Sequence, residues 1–338
     1  MSGEVFIAGA GAVSAFGIGW RGLGRAVASG ELRPRESLAL RESHPGTQAS
    51  EVGEIPPALD AGNARARKLM SRAARLSAIA LREALADAGF AAVRERVGAF
   101  LGVGASGISM EDVPAIVSAS FDQGGLSLEL LGERGLLACN PLFTFQTLNN
   151  FSLCHGAILE GLGGPNAAFF SRGSGTMLAL SEAFHAVRGG DCERAVAGGA
   201  DTALHPITWT ELRRDGFAAR GLVPGEGAAL LALSSETVSP LALLEACGPL
   251  DLPAAADLVV LAPWGDPPRA ALRDLAAGHH PRAAVVDVSL GLGDALAAAP
   301  ALAWLVALDL LRPGERALVL CAGTDGDVTS AVFRKVAA

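Results

Sequence analysis

In this 338-residue chain, the segment Ser171-Arg172-Gly173-Ser174-Gly175 comes closest to a nucleophile turn. A serine between glycines at a helix entry is the setting in which a strand-to-helix turn presents a hydroxyl for attack, provided a base can take its proton. The local sequence supplies no histidine, and His279-His280 fall in a polar stretch, so Ser174 reads first as a helix N-cap. Cys154-His155 is the second candidate. Adjacent residues point different ways on a helix or strand, so a thiolate pair is disfavoured and Cys154 reads as a buried, inert thiol. The third is Gly9-Ala10-Gly11-Ala12-Val13-Ser14 after an apolar run. A dinucleotide fingerprint wants glycine or alanine at Ser14 and an acid at the tip of a second strand, whereas Glu31 sits in a turn-rich stretch. A tight strand-to-helix turn is the simpler reading. His185 and His205 read as structural histidines, and Cys139 and Cys192 have no evident partner. With no tyrosine and 5% aromatics there is no stacking platform, and no cofactor or metal is expected.

The elements that must position these residues follow from composition and periodicity. Half the residues are hydrophobic and 18% are charged, enough apolar material for a large core. The surplus of alanine and glycine points to tightly packed helices or to a large subunit interface. No stretch reaches the roughly 18 apolar residues of a membrane span, and residues 1–6 lack the basic start of a signal peptide. Five scattered cysteines without a C-x-x-C pair argue for a reducing compartment, hence the cytoplasm, and against disulfides or zinc. A net charge of −8, with no basic block beyond Arg65-Ala66-Arg67-Lys68, excludes a nucleic-acid groove. Apolar runs at 5–8, 97–103, 167–170, 195–200 and 228–233 read as strands. Helical periodicity covers 66–88 and 176–187, with turn-rich sequence over 30–62. Beyond a Ser/Thr/Pro stretch at 234–240, shorter strands at 241–245, 258–261, 284–288, 317–320 and 328–333 and a helix over 294–311 repeat the theme. A layered α/β fold follows, with one half over 1–235 and a shortened second half over 240–338.

Several motifs in order carry a family resemblance. Val5-Phe6-Ile7-Ala8-Gly9-Ala10-Gly11-Ala12-Val13-Ser14-Ala15-Phe16-Gly17, the helix near 71–89 and the strand at 97–104 resemble the opening of β-ketoacyl synthases. Asn150, His155 and Gly161-Leu162-Gly163-Gly164-Pro165-Asn166 resemble the approach to their nucleophile. Ala197-Gly198-Gly199-Ala200-Asp201 and Val223-Pro224-Gly225-Glu226-Gly227-Ala228 resemble two later signatures, and from 240 onward the likeness is fainter. The resemblance implies a thiolase-like five-layer α/β/α/β/α fold from two pseudo-repeated halves, the second shortened, and a dimer. In active members a cysteine at a helix N-terminus, where the dipole favours a thiolate, accepts an acyl chain from an acyl carrier protein.

Carried over by position, that cysteine falls on Gly173. The first histidine falls in Ala262-Pro263-Trp264-Gly265-Asp266-Pro267, the lysine on Ser289 and the second histidine on Asp294. The resemblance therefore implies a non-catalytic subunit of the chain-length-factor type. Its partner would be an active ketosynthase paralogue in a heterodimer, or itself in a homodimer, with an acyl carrier protein met indirectly. The setting would be type II polyketide, aryl-polyene or fatty-acid-like biosynthesis, and the subunit would shape the acyl tunnel. Phe143, Phe145, Asn150, Phe151, Cys154 and His155 are the tunnel and interface candidates. The alternative is a divergent thiolase-fold acyltransferase or thioesterase using Ser174 or Cys154.

Overall fold

The computed structural model describes residues 3–105, 107, 110, 112–142, 146–171, 174–236, 239–323 and 326–336. The first stretch of chain forms β1 (Val5–Ser14), α1 (Leu23–Ala28), α2 (Arg72–Asp87), β2 (Val97–Val103), α3 (Asp112–Ser120), α4 (Phe151–Glu160), β3 (Asn166–Phe170), α5 (Gly175–Gly189), β4 (Arg194–Thr202), α6 (Pro206–Arg214) and β5 (Glu226–Ser234). The second forms β6 (Ala242–Pro249), β7 (Leu258–Ala262), α7 (Asp266–His279), β8 (Ala284–Asp287), α8 (Ala299–Leu310), β9 (Arg316–Ala322) and β10 (Val328–Lys335).

Across the main sheet the order is β8-β7-β9-β10-β6-β1-β5-β4-β2-β3. Each set of five lies third, second, fourth, fifth, first, with the same alternation. Its second strand is parallel to its third and fourth, and its fifth is antiparallel to the fourth and first. The sets join where Val5, Phe6 and Ile7 pair with Leu244, Leu243 and Ala242.

Two helices lie between the sets. α8 packs on β7, β9 and β10 from one side and on β1, β4 and β5 from the other, while α5 touches β2, β3 and β4 and also β6 and β10. Ten of the twelve α8 residues are buried, Trp304 completely, as an apolar surface all round a helix requires. Each fully buried leucine there contributes roughly 2 kcal/mol. α2 covers the outer face of the first set and α7 that of the second, which gives the expected five layers.

The expected helix over 66–88 divides in two: a short turn, Ala64–Arg67, and α2, whose N-cap Ser71 accepts from Ala74 N at 3.2 Å. Gly9-Ala10-Gly11 lies inside β1 and is not a turn. A Cβ on Gly11 would overlap the Ala80 carbonyl of α2, so the glycines seat that helix against the strand. The outer end of α2 is tied down by Asp87, which accepts from Ala10 N at 3.0 Å and pairs with Arg21 at 2.7 Å. The expected helix over 294–311 begins only at 299, after a 3-10 turn at Leu296–Ala298. Pro300, in the first turn of α8, marks that start.

The second set is shortened as expected. Between β1 and β2 the chain builds α2, but between β6 and β7 it has only the non-helical segment 250–257. On the strands left without that cover, Glu245 sits between Arg316 (2.6 Å) and Arg334 (2.7 Å). An ion cluster takes the place of a buried helix.

Candidate functional site

The chain leaves β3 at Phe170, which is 59% exposed, and enters α5. Arg172 and Gly173 lie outside the described residues. Ser174 stands at the N-cap position but has helical backbone angles, and its side chain makes no capping hydrogen bond, contrary to the N-cap reading. Its hydroxyl is 2.8 Å from that of Ser171, and no histidine takes part. Behind it, Thr176 donates to the carbonyl of Ala297, and Asp201 accepts from Thr202 N at 2.8 Å and Ala297 N at 3.2 Å. These bonds lock the start of α5 to the approach to α8.

Opposite, Ser289 and Asp294 belong to two buried constellations. Ser289 Oγ donates to Asp287 Oδ1 at 2.6 Å. Arg269, from α7, reaches Asp287 Oδ2 at 2.9 Å and Ser289 Oγ at 3.0 Å, and also pairs with Asp266. Arg273 stands 3.7 Å from the same Asp287 carboxylate. Asp294, 1% exposed, accepts from Val223 N at 3.0 Å. Burial pushes its carboxyl up to about 7, against the opposing pull of the Val223 hydrogen bond and Arg269. Sequence reasoning missed Arg269 and Asp287; an arginine four residues into an amphipathic helix carries no motif.

The loop 262–267 buries Trp264, whose ring meets Phe217 edge-on at 5.9 Å. Between Ala105, Ser171, Asp201, Leu212, Trp264 and Ala297 the remaining cavity is about 30 Å³, room for about one water molecule and not for an acyl chain. A much larger open groove of about 870 Å³ lies elsewhere, between the 31–54 stretch, Met70–Arg72 and His205. Arg72 in its wall is bound to buried Glu226 at 2.8 Å.

The tunnel and interface candidates separate. Phe143 and Phe145 lie outside the described residues. Asn150, Phe151, Cys154 and His155 come together at the start of α4. Phe151 and His155 stack with ring centroids 5.3 Å apart, while Asn150 Nδ2 lies 4.0 Å from Cys154 Sγ. Cys154 is half-buried, not buried, on α4, which packs chiefly against α2. Burial lowers the His155 pKa, partly opposed by a hydrogen bond to the Leu69 backbone. Of the other thiols, burial pushes Cys247 up to about 12 and also raises Cys321 and Cys192. His205 caps α6, its Nδ1 accepting from Ile207 N at 3.3 Å, as a structural histidine would. His185 is exposed, and the polar stretch at His279-His280 is the end of α7, with His280 buried.

Two further features are exposed surfaces. β3 pairs only with β2, which leaves its other edge open among the described strands. In the segment 112–140, α3, a small hairpin and short helical turns pack on one another, and only Ser120 and Gly135 are buried. Phe121, Leu126, Leu128, Leu136 and Leu137 on this arm are all at least half exposed.

A five-layer fold of two repeated five-strand sets, with a strand-turn-helix facing the start of the last buried helix, is the architecture of condensing enzymes. The profile of the β-ketoacyl synthase N-terminal domain matches residues 24–238, and the chain belongs to that family. Among solved structures it is similar to the ishigamide ketosynthase/chain length factor, with 23% identity and a TM-score of 0.78 over 99% of this chain and 100% of that one. It is also similar to a type II PKS acyl-carrier protein in complex with its ketosynthase bound to the hexaketide (16% identity, TM-score 0.74, 99% and 100% covered). A β-ketoacyl synthase from Burkholderia phymatum gives 19% identity and a TM-score of 0.71 with the same coverage. No curated protein matches the chain by sequence.

Proposed function

We propose that this chain is a non-catalytic, chain-length-factor-type subunit, with a first half over 1–235 and a shortened second half over 240–338. It pairs with an active ketosynthase in the cytoplasm and forms part of the wall of that partner's acyl tunnel. The observation that carries this reading is the β3 edge left open among the described strands, whose end, Phe170, borders a centre with only about 30 Å³ of space; the apolar arm at 112–140 is a second exposed surface. An unpaired strand edge and a set of exposed leucines and phenylalanine are surfaces that a monomer would have to protect. Gly173 offers no nucleophile, Ser289 is held by Asp287 and Arg269, and Asp294 is a carboxyl where active relatives have an imidazole. The resemblance to a ketosynthase/chain length factor agrees with this assignment. The acyltransferase or thioesterase alternative requires a base bonded to Ser174 or Cys154, and the side-chain partners of those residues among the described residues are Ser171 and Asn150.

The test is co-expression with an intact ketosynthase from the same biosynthetic system, followed by light scattering on the purified material. The expected result is a stable 1:1 complex with a contact of about 2,000 Å² or more, and a chain that aggregates or self-associates when produced alone. A well-behaved monomer that ignores the ketosynthase would end this reading.

A further inference from the structure

Two distant stretches of the chain are laced together around Asp294. Asp294 N donates to Val223 O at 2.7 Å, Gly225 N donates to Asp294 O at 3.2 Å, and Val223 N donates to Asp294 Oδ2 at 3.0 Å. The backbone of Gly265 also approaches the carboxyl and favours its charged form. Ser50 draws in a third stretch. Its N–H donates to Pro224 O at 2.9 Å, its carbonyl accepts from Glu226 N at 3.2 Å, and its hydroxyl donates to Gly291 O at 2.9 Å. Gly293 permits this approach: its φ is +61°, and a Cβ there would lie 2.9 Å from Pro224 O. The seam thus joins the entry to β5 in the first set to the entry to α8 in the second.

Within it the Asp294 carboxyl is unequally served. Oδ2 holds the Val223 amide, but Oδ1 is buried and has no hydrogen-bond partner among the described residues. The charged groups that act on it are Arg269 of α7 and Asp287 at the end of β8, with opposite effect. Arg269 is already committed to Asp287, Ser289 and Asp266. The facing segment 223–225 is Val-Pro-Gly and brings no charge, and the next residue, Glu226, is bound to Arg72. A buried carboxylate oxygen without a donor is unfavourable, whereas a proton on it removes the charge at no loss to the Val223 hydrogen bond.

We propose that Asp294 is a proton-controlled latch between the two halves: the seam is closed while the carboxyl is neutral, and loss of its proton to solvent favours opening at 223–226 and 291–294. The closed carboxyl titrates at about 7, and the solvated one near the ordinary aspartate value of about 4. Between those values the open form holds fewer protons, so opening becomes about tenfold more favourable per pH unit and levels off above the closed value.

Hydrogen exchange read by mass spectrometry on the full chain tests this at pH 5 and pH 8, corrected for intrinsic exchange. Peptides spanning 222–228 and 290–296 should open more than tenfold more readily at pH 8, with a smaller change in α8. In Asp294→Asn, which cannot ionise, that rise should vanish. Equal protection at both pH values in the wild type, or the same rise in the variant, overturns the proposal. If the variant does not fold, infrared spectroscopy of the wild type decides. A protonated-carboxyl band at pH 5 that disappears near neutrality supports the latch, and its absence at pH 5 overturns it.

Discussion

Arg269 touches three acceptors from one guanidinium, and nothing in its local sequence announces it. Its side chain is 16% exposed and that of Asp287 1%, so the pair sits in the regime where removing one partner leaves a stranded charge. Arg269→Ala should destabilise the protein by about 3 kcal/mol, read as a lower denaturant midpoint with unchanged slope. Ser289→Ala, which removes a single hydroxyl from the same cluster, should lose about 1 kcal/mol. Equal, near-zero effects would mean that the cluster is solvated and Asp287 unconstrained. At this scale legibility was uneven. That position 173 is a glycine, and that 262–267 holds no histidine, can be read from sequence. Ser289 meets Asp287 two residues away, but its contact with Arg269 spans 20 residues and that of Asp294 with Val223 spans 71, and no local pattern encodes such distant pairs. Ser174 shows the converse limit: its position at the start of α5 was legible, but its hydroxyl turns to Ser171 rather than to the helix amides.

Elements were more legible than side-chain partners, because periodicity reports burial directly. α2 was visible from its apolar stripe and from Gly89, and the structure adds the Ser71 cap at its start. The Gly9 and Gly11 pair was misread as a turn because glycines after an apolar run look alike whether the chain bends or a helix presses against it. The close packing of α2 on β1 makes a direct prediction. Gly11→Ala places a methyl group into the Ala80 carbonyl and should destabilise by about 2 to 3 kcal/mol, measured by thermal or urea unfolding. Unchanged stability would show that α2 can move off the strand. The arm at 112–140 was not foreseen. Its apolar residues do not follow one period, and most of them face solvent rather than a core, so periodicity has nothing to report.

On the scale of the molecule, the two five-strand sets share a strand order but not a function. The first carries the open edge and the exposed arm; the second carries an arginine cluster and an aspartate seam, and has Glu245, Arg316 and Arg334 where a covering helix is missing. Both helices of the middle layer are kept, and the cavity beside them is about 30 Å³. The central claim is that this chain contributes surface and no nucleophile. Its most direct test is intact-mass spectrometry of the complex with an active ketosynthase after incubation with an acylated acyl carrier protein. The account predicts one acyl group per complex, on the ketosynthase subunit, and none on this chain. Stoichiometric acylation of this chain, at Ser174 or Cys154, would contradict it.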